Sequence, residues 1–353
     1  MRPPDPLLHE ILQAGISAPS AENKHYLAYR ICDEAVELTS TDSRSWAALP
    51  HRKMLGLLAF GAVLENIALR SASFGLELRA EALPESARPE LIARLRWAAQ
   101  PALTVDPLVR QIESRHTNRR LFSRRAIEPP ALRSLDAAVA SVPGAAVAWF
   151  HRGPGRAKAQ RAIRLAETER FRRRALHQEL FGSIAFHAGW ETATDEWLAP
   201  ATLEIEAPMR RPFRWLANWP AMRAVNAIGG SLMLGVRAGQ LPAWSASHLG
   251  LLHVDAADDD IGSLLAGRAF QRLWLQADAA GLGLQPMAAA PVLLRQTPGA
   301  DWVGEPTRTA LGRTMNALMD GGSSRPYLFF RIGHAEPPTA SAGRRPLKDY
   351  LSG

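Results

Sequence analysis

Gly61-Ala-Val-Leu-Glu65-Asn-Ile-Ala-Leu69-Arg-Ser-Ala-Ser-Phe-Gly75-Leu-Glu-Leu78 decides the fold, because its landmarks occur twice in the chain. Gly61, Leu69, Gly75, Leu76 and Leu78 recur as Gly267, Leu275, Gly281, Leu282 and Leu284, all displaced by 206 positions, and Glu65 is matched by Gln271. A fixed displacement is the mark of a repeated structural unit. Both copies read as long helices, apolar nearly all round and closed by a glycine. Gly61, Ala62, Ala68 and Ala72 carry little side-chain bulk, so a neighbouring helix can come close. The repeat is either two unrelated buried helices sharing common residues, or the trace of a fused pseudo-dimer with one central helix in each half.

Outward from this stretch, the hydrophobic pattern predicts a helix near 7–13, a strand near 27–33, the central helix over 51–74 and a strand around 76–81. A Pro-rich polar linker runs from Pro101 towards Arg115, and a helix opens at Pro129-Pro130 with proline in its first turn. Residues 147–150 are apolar and short enough for a core strand. The turn Arg152-Gly-Pro-Gly-Arg156 superficially resembles a phosphate loop, but its proline removes an amide donor, so a plain turn is expected. It opens an arginine-rich helix running on to Phe181, where interleaved Glu167 and Glu169 point to a solvated, ion-paired face.

At 353 residues, 47% hydrophobic and 22% charged, the chain has the composition of a globular protein. The apolar run 54–64 is too short for a bilayer span, no export signal is expected from an N-terminus that reads Met1-Arg-Pro-Pro-Asp-Pro, and the single cysteine, Cys32, excludes an internal disulfide framework. These features suit a cytoplasmic protein with no membrane partner, and Cys32, after Arg30-Ile31, reads as an inert thiol in a buried strand. The net charge of +8 raises nucleic-acid binding as a remote alternative. Its arginines are spread along the chain, and Lys24, Lys53, Lys158 and Lys348 are the only lysines, so no nucleic-acid partner is expected. Asp255, Asp258, Asp259 and Asp260 beside His248 and His253 could suggest a metal, but read better as caps of the helix beginning near Ile261. No metal site is expected.

Two further stretches carry chemistry. In Arg115-His-Thr-Asn-Arg119, an extended backbone would send Arg115, Thr117 and Arg119 to one side, two guanidinium forks and a hydroxyl suited to a phosphate monoester. In Ala18-Pro-Ser20-Ala-Glu-Asn23-Lys-His25-Tyr26, a turn presents a hydroxyl and an amide that can read the edge of a planar heterocycle. Phosphate at one end and a flat ring at the other describe flavin mononucleotide (FMN).

These residues resemble the flavin-dependent nitroreductase family, an α+β fold with central helices and flanking antiparallel sheet. The likeness is closest to its single-chain branch, represented by the mycobacterial Acg proteins. Arg331-Ile-Gly333-His-Ala-Glu-Pro337 and Gly343-Arg344-Arg345-Pro346-Leu347 look like the family's closing strand and basic tail, and Gly281-Leu-Gly-Leu-Gln285-Pro286-Met287 falls where backbone amides approach flavin N5. The resemblance implies FMN held by Arg115, His116, Thr117, Arg119, Arg344 and Arg345 at the phosphate, and by Pro19, Ser20, Asn23, Gln285, Pro286, Met287 and Ala288 about the ring. It implies no side-chain catalyst, NAD(P)H as electron donor and a small organic acceptor. It also implies a nitroreductase-like N-terminal half (1–105) and C-terminal half (106–353), with a monomer sufficient for the site and a homodimer possible.

The chain departs from the family in having Asn23-Lys24-His25-Tyr26 where many members have Asn-x-Gln-Pro-Trp. It also carries a Trp-rich insertion at about 186–252, containing Trp190, Trp197, Trp215, Trp219 and Trp244. This insertion is either a lid over the flavin or a segment whose tryptophans pack on the core. The alternative function is an FMN-sequestering protein with an occluded flavin.

Overall fold

The computed structural model describes residues 2–256, 258–296, 302–319 and 323–352. Helix α1 (Asp5–Ile16) leads into strands β1 (Leu27–Ile31) and β2 (Val36–Ser40), then the long helix α2 (Pro50–Ala72) and strands β3 (Leu76–Ala82) and β4 (Leu91–Ala99). Helix α3 (Pro129–Ala140) and strand β5 (Ala145–Phe150) follow. Six helices then precede the next strand: α4 (Gly153–Arg172), α5 (Arg174–Gly182), α6 (Ala207–Trp215), α7 (Trp219–Asn226), α8 (Gly230–Gly235) and α9 (Leu241–Ser245). Strand β6 (His248–Val254), helix α10 (Asp259–Ala279), strand β7 (Gly283–Met287), helices α11 (Ala289–Leu294) and α12 (Glu305–Leu318), strand β8 (Arg325–Gly333) and the short β9 (Leu351–Ser352) complete the chain. Pro50 and Pro129 open their helices, where a missing N–H costs nothing.

One sheet has the order β3-β4-β2-β1-β9 and the other β5-β6-β8-β7, antiparallel throughout except for β9 beside β1. Read from opposite ends they are the same sheet. Strands β1, β2, β3 and β4 take the places of β5, β6, β7 and β8, and α2 and α10 occupy matching positions between second and third strands. The fold is α+β, with two central helices between flanking antiparallel sheets.

The central helices cross at matched positions. A Cβ on Gly61 would strike the Leu264 carbonyl oxygen, and one on Gly267 would strike the Leu58 carbonyl oxygen. Each would also lie 3.0 Å from the other glycine's Cα. Leu58 and Leu264 are themselves 206 apart, so the contacts are reciprocal under the displacement of the sequence repeat. Polar groups fix the register: Gln271 Nε2 donates to Asn66 Oδ1 at 2.7 Å, Asn66 Nδ2 donates to the Ala14 carbonyl at 2.9 Å, and Glu65 accepts from Arg268 and Arg272. Helix α2 is long and apolar enough to cross a membrane by length and composition, which the run 54–64 alone does not suggest. Most of it is buried in the protein, as a core helix.

Several local expectations need correction. The arginine-rich helix does not reach Phe181 unbroken: Arg173 is extended (φ −99°, ψ 132°) and separates α4 from α5. Glu167 and Glu169 are buried rather than solvated, held by Arg170, Arg172 and Arg173. Strand β5 lies at a sheet edge, so its middle is only half-buried. Cys32 lies just beyond β1 and is half-buried, not inside a buried strand.

Gly61→Ala and Gly267→Ala should each destabilise the fold by about 1–3 kcal/mol or more, because the obstructing atoms are backbone and cannot rotate away. Urea melts of the two variants should show comparable losses. A loss confined to one of them would show that the crossing is not reciprocal.

Candidate functional site

A cavity of about 860 Å³ lies between the central helices and the α5–α8 layer, a size that small-molecule sites commonly have. Ala59, Ala62 and Val63 of α2 and Gly267, Phe270 and Trp274 of α10 form one side. Pro19, Ser20, His25 and Tyr26 line a second, and Thr117 and Arg119 a third. Gln285, Pro286, Met287 and Ala288, at the end of β7, complete the wall. The cavity therefore joins three segments of the sequence reading that lie about a hundred residues or more apart in the chain.

The other residues of that reading stand outside the lining. Arg115 lies over Trp274, 4.3 Å from the ring centroid, and its Nη2 donates to the Ser17 carbonyl at 3.4 Å. Thr117 and Arg119 share the cavity side, but Arg115 does not join them: Asn118 N donates to the Leu284 carbonyl, and burial falls on Arg115 and Asn118. Consequently Arg115 and Arg119 share no hydrogen-bond partner, and Arg119 Nη1 donates to the Thr202 carbonyl at 3.0 Å. The His116 ring turns back to the Ser114 carbonyl.

Asn23 is committed within the protein. Its Nδ2 donates to the Trp197 carbonyl at 3.2 Å, and its Oδ1 accepts from Arg344 at 2.6 Å and from His25 Nε2 at 3.2 Å. Left-handed backbone at Glu22 (φ 58°) and Asn23 (φ 57°) turns the amide in this direction, a conformation asparagine tolerates well. Arg344 also donates to the carbonyls of Ile16 and Ala18, so Arg115 and Arg344 together cover the C-terminal carbonyls of α1, where positive charge is favourable. Arg345 lies over the Tyr350 ring at 4.8 Å and pairs with Glu196 at 3.8 Å.

These cations are taken out of water. Burial, with the Arg344 charge second, lowers Arg115 to about 9, and burial lowers Arg344 to about 10. Burial also lowers Arg119 to about 10, opposed by Glu204 and reinforced by Arg170. His25 is lowered to about 3 by burial, then by Arg344, Arg345 and Arg115, so its imidazole is neutral at ordinary pH.

The sequence did not reveal the opposite wall. His51 Nε2 lies 3.2 Å from Glu179, which also accepts from Arg52 Nε at 3.1 Å, and all three line the cavity. Burial pushes the Glu179 carboxyl up, but His51 and Arg52 outweigh it and hold the group below its usual range. Nothing in the local sequence announces a pair 128 residues apart. Arg331, expected only as the start of the closing strand, is buried and supports the site: its Nε donates to Gln285 Oε1 at 2.6 Å and its Nη2 to the Arg120 carbonyl at 2.8 Å, tying β7 to the Arg119 segment.

The insertion covers the cavity with Leu203, Pro208, Met209, Phe213, Leu216 and Leu234, while its five tryptophans stay out of the lining. Asp258 caps α10 by accepting from Ile261 N at 2.8 Å, and among the described residues no cluster of His, Cys, Asp or Glu could hold a metal.

Among solved structures, the chain is similar to the FMN-dependent nitroreductase NfnB from Mycobacterium smegmatis in complex with NADPH (15% identity, TM-score 0.35, covering 64% of this chain and 86% of that one). It is also similar to oxidized iodotyrosine deiodinase bound to FMN and 3-iodo-L-tyrosine (13%, 0.37, 67% and 95%) and to a BluB-like flavoprotein from Clostridium difficile (12%, 0.38, 70% and 99%). No protein-family model and no curated protein matches the chain.

His25 generates a pH dependence of stability. The unfolded chain takes up its proton below about 6.5 while the folded one resists until about 3, so the unfolded state binds more protons in that window and stability falls on acidification. His25→Gln should flatten this acid limb when urea midpoints are compared across the window. An unchanged slope would show that His25 protonates freely in the fold.

Proposed function

We propose that this chain is a fused nitroreductase-like pseudo-dimer (halves 1–105 and 106–353) that binds one FMN in the cavity and reduces a small organic acceptor with electrons from NAD(P)H. The observation that carries this reading is the convergence of Pro19-Ser20, Thr117-Arg119 and Gln285–Ala288 on that single cavity. Matching strand order and reciprocal helix contacts support the fusion, since an isologous dimer leaves such symmetry when its halves are joined.

The residues present fit the cofactor. Arg115 keeps a buried Nε with no hydrogen-bond partner, and Arg119 lines the cavity without a hydrogen bond to any carboxylate. Desolvated positive charge of this kind favours an anion nearby. Thr117 and Arg119 would hold the phosphate directly, with Arg115, Arg344 and Arg345 adding field from behind. Ser20 and the segment 285–288 would border the ring, while Asn23 acts by fixing Arg344 and His25. Bound FMN would supply the redox chemistry, taking hydride from the nicotinamide and passing electrons to the acceptor. Met209 and Tyr26 line the cavity yet are 53% and 38% exposed. They form a route to solvent, which favours turnover over sequestration.

Purified protein should show a flavin spectrum with about one FMN per chain. Arg119→Ala should weaken FMN binding by roughly 10- to 100-fold, the worth of one charge-assisted hydrogen bond, as read by flavin fluorescence titration. Anaerobic NADPH or NADH should bleach the flavin, and an added quinone or nitroaromatic should restore its colour. Protein that stays colourless and takes up no added FMN would overturn the cofactor assignment. Flavin reduced by dithionite but not by nicotinamides would identify a sequestering protein instead.

A further inference from the structure

From Ala207 to Val254 the chain contains no aspartate or glutamate, yet it carries Arg210, Arg211, Arg214, Arg223 and Arg237. This run holds α6, α7 and α8, whose inner faces share one apolar cluster built on Met222 and including Phe213, Leu216, Val225 and Leu234. Their outer faces combine guanidinium groups with large apolar side chains. Ile228 is 84% exposed, Met233 72% and Trp215 58%, with Leu232 also exposed. Arg211, Arg214 and Arg223 are exposed as well, and among the described residues they form no ion pair.

We propose that the outer face of α6–α8 docks on an anionic lipid surface, with Trp215, Ile228, Leu232 and Met233 entering the headgroup and acyl boundary and Arg211, Arg214 and Arg223 meeting lipid phosphates. Bulky apolar groups among arginines, with no acidic residue between them, are the pattern of an interfacial layer. A second copy of the chain suits the face poorly, because a two-fold interface would set like charges against each other. A nucleic-acid backbone would leave Ile228 and Met233 without an apolar partner.

Full-length protein should sediment with phosphatidylcholine vesicles containing phosphatidylglycerol, bind pure phosphatidylcholine far more weakly, and dissociate as salt is raised. Tryptophan emission should shift to the blue on binding, and Trp215→Phe should reduce that shift. Ile228→Asp combined with Met233→Asp should weaken vesicle binding by at least about tenfold. Arg214→Gln and Arg223→Gln should each weaken it by about fivefold. These positions are exposed, and unchanged thermal melts would show the variants folded. Vesicle binding neither requires nor reports on FMN, so its outcome is distinct from that of the flavin test. Folded protein that ignores anionic vesicles at low salt would overturn the proposal. So would concentration-dependent dimerisation abolished by the Ile228→Asp and Met233→Asp pair, which would make a second copy the occupant.

Discussion

The contact between Gly61 and Gly267 sets the distance between the two central helices and so between the sheets that flank them. With a Cβ on either residue directed at a backbone oxygen of the opposing helix, α2 and α10 can approach this closely only where both side chains are hydrogen. The polar bridges further along depend on that approach: Gln271 reaches Asn66 at 2.7 Å, and Glu65 reaches Arg272 at the same distance. Buried groups of this kind stabilise only while fully paired. Separating the helices would leave Glu65 and Asn66 without their partners across the crossing, and the cavity, bordered by Ala62 on one helix and Gly267 on the other, would lose its shape.

Much of this was legible in the sequence, for a physical reason. A long apolar helix closed by glycine writes its own length and ending, so 51–74 was expected and Pro50–Ala72 found. The glycine landmarks each have a structural reason: Gly61 and Gly267 face backbone oxygens that leave no room for a side chain, whereas Gly75 and Gly281 adopt left-handed backbone (φ 67° and 66°) where their helices end. The three segments of the cavity wall were visible because each carries an unusual local combination, such as Pro-Ser or Arg-x-Thr-x-Arg.

What was not legible depended on backbone direction and on distant pairing. The Arg115 segment was read with the period of a strand, but its Asn118 amide bonds β7 and burial recurs after three residues. Two arginines expected to grip one anion therefore have separate surroundings. Asn23 was expected to read a ring, but left-handed backbone at two successive residues delivers its amide to Arg344. His51 and Glu179 meet because α5 brings Glu179 within reach of the first turn of α2, which no spacing encodes.

The symmetry of the core is broken outside it, in ways that make one side of the molecule different. Strands β1 and β2 are joined by a short turn, whereas α4–α9 lie between their counterparts β5 and β6. The cavity roof is therefore built only from the stretch between β5 and β6. The chain's end crosses in the opposite direction, where β9 pairs with β1 through Tyr29 and Leu351. That pairing tethers the tail and places Arg344 against the C-terminus of α1 and Asn23. The Ser20 wall is thus positioned by the last residues of the chain, and the roof by residues from its middle.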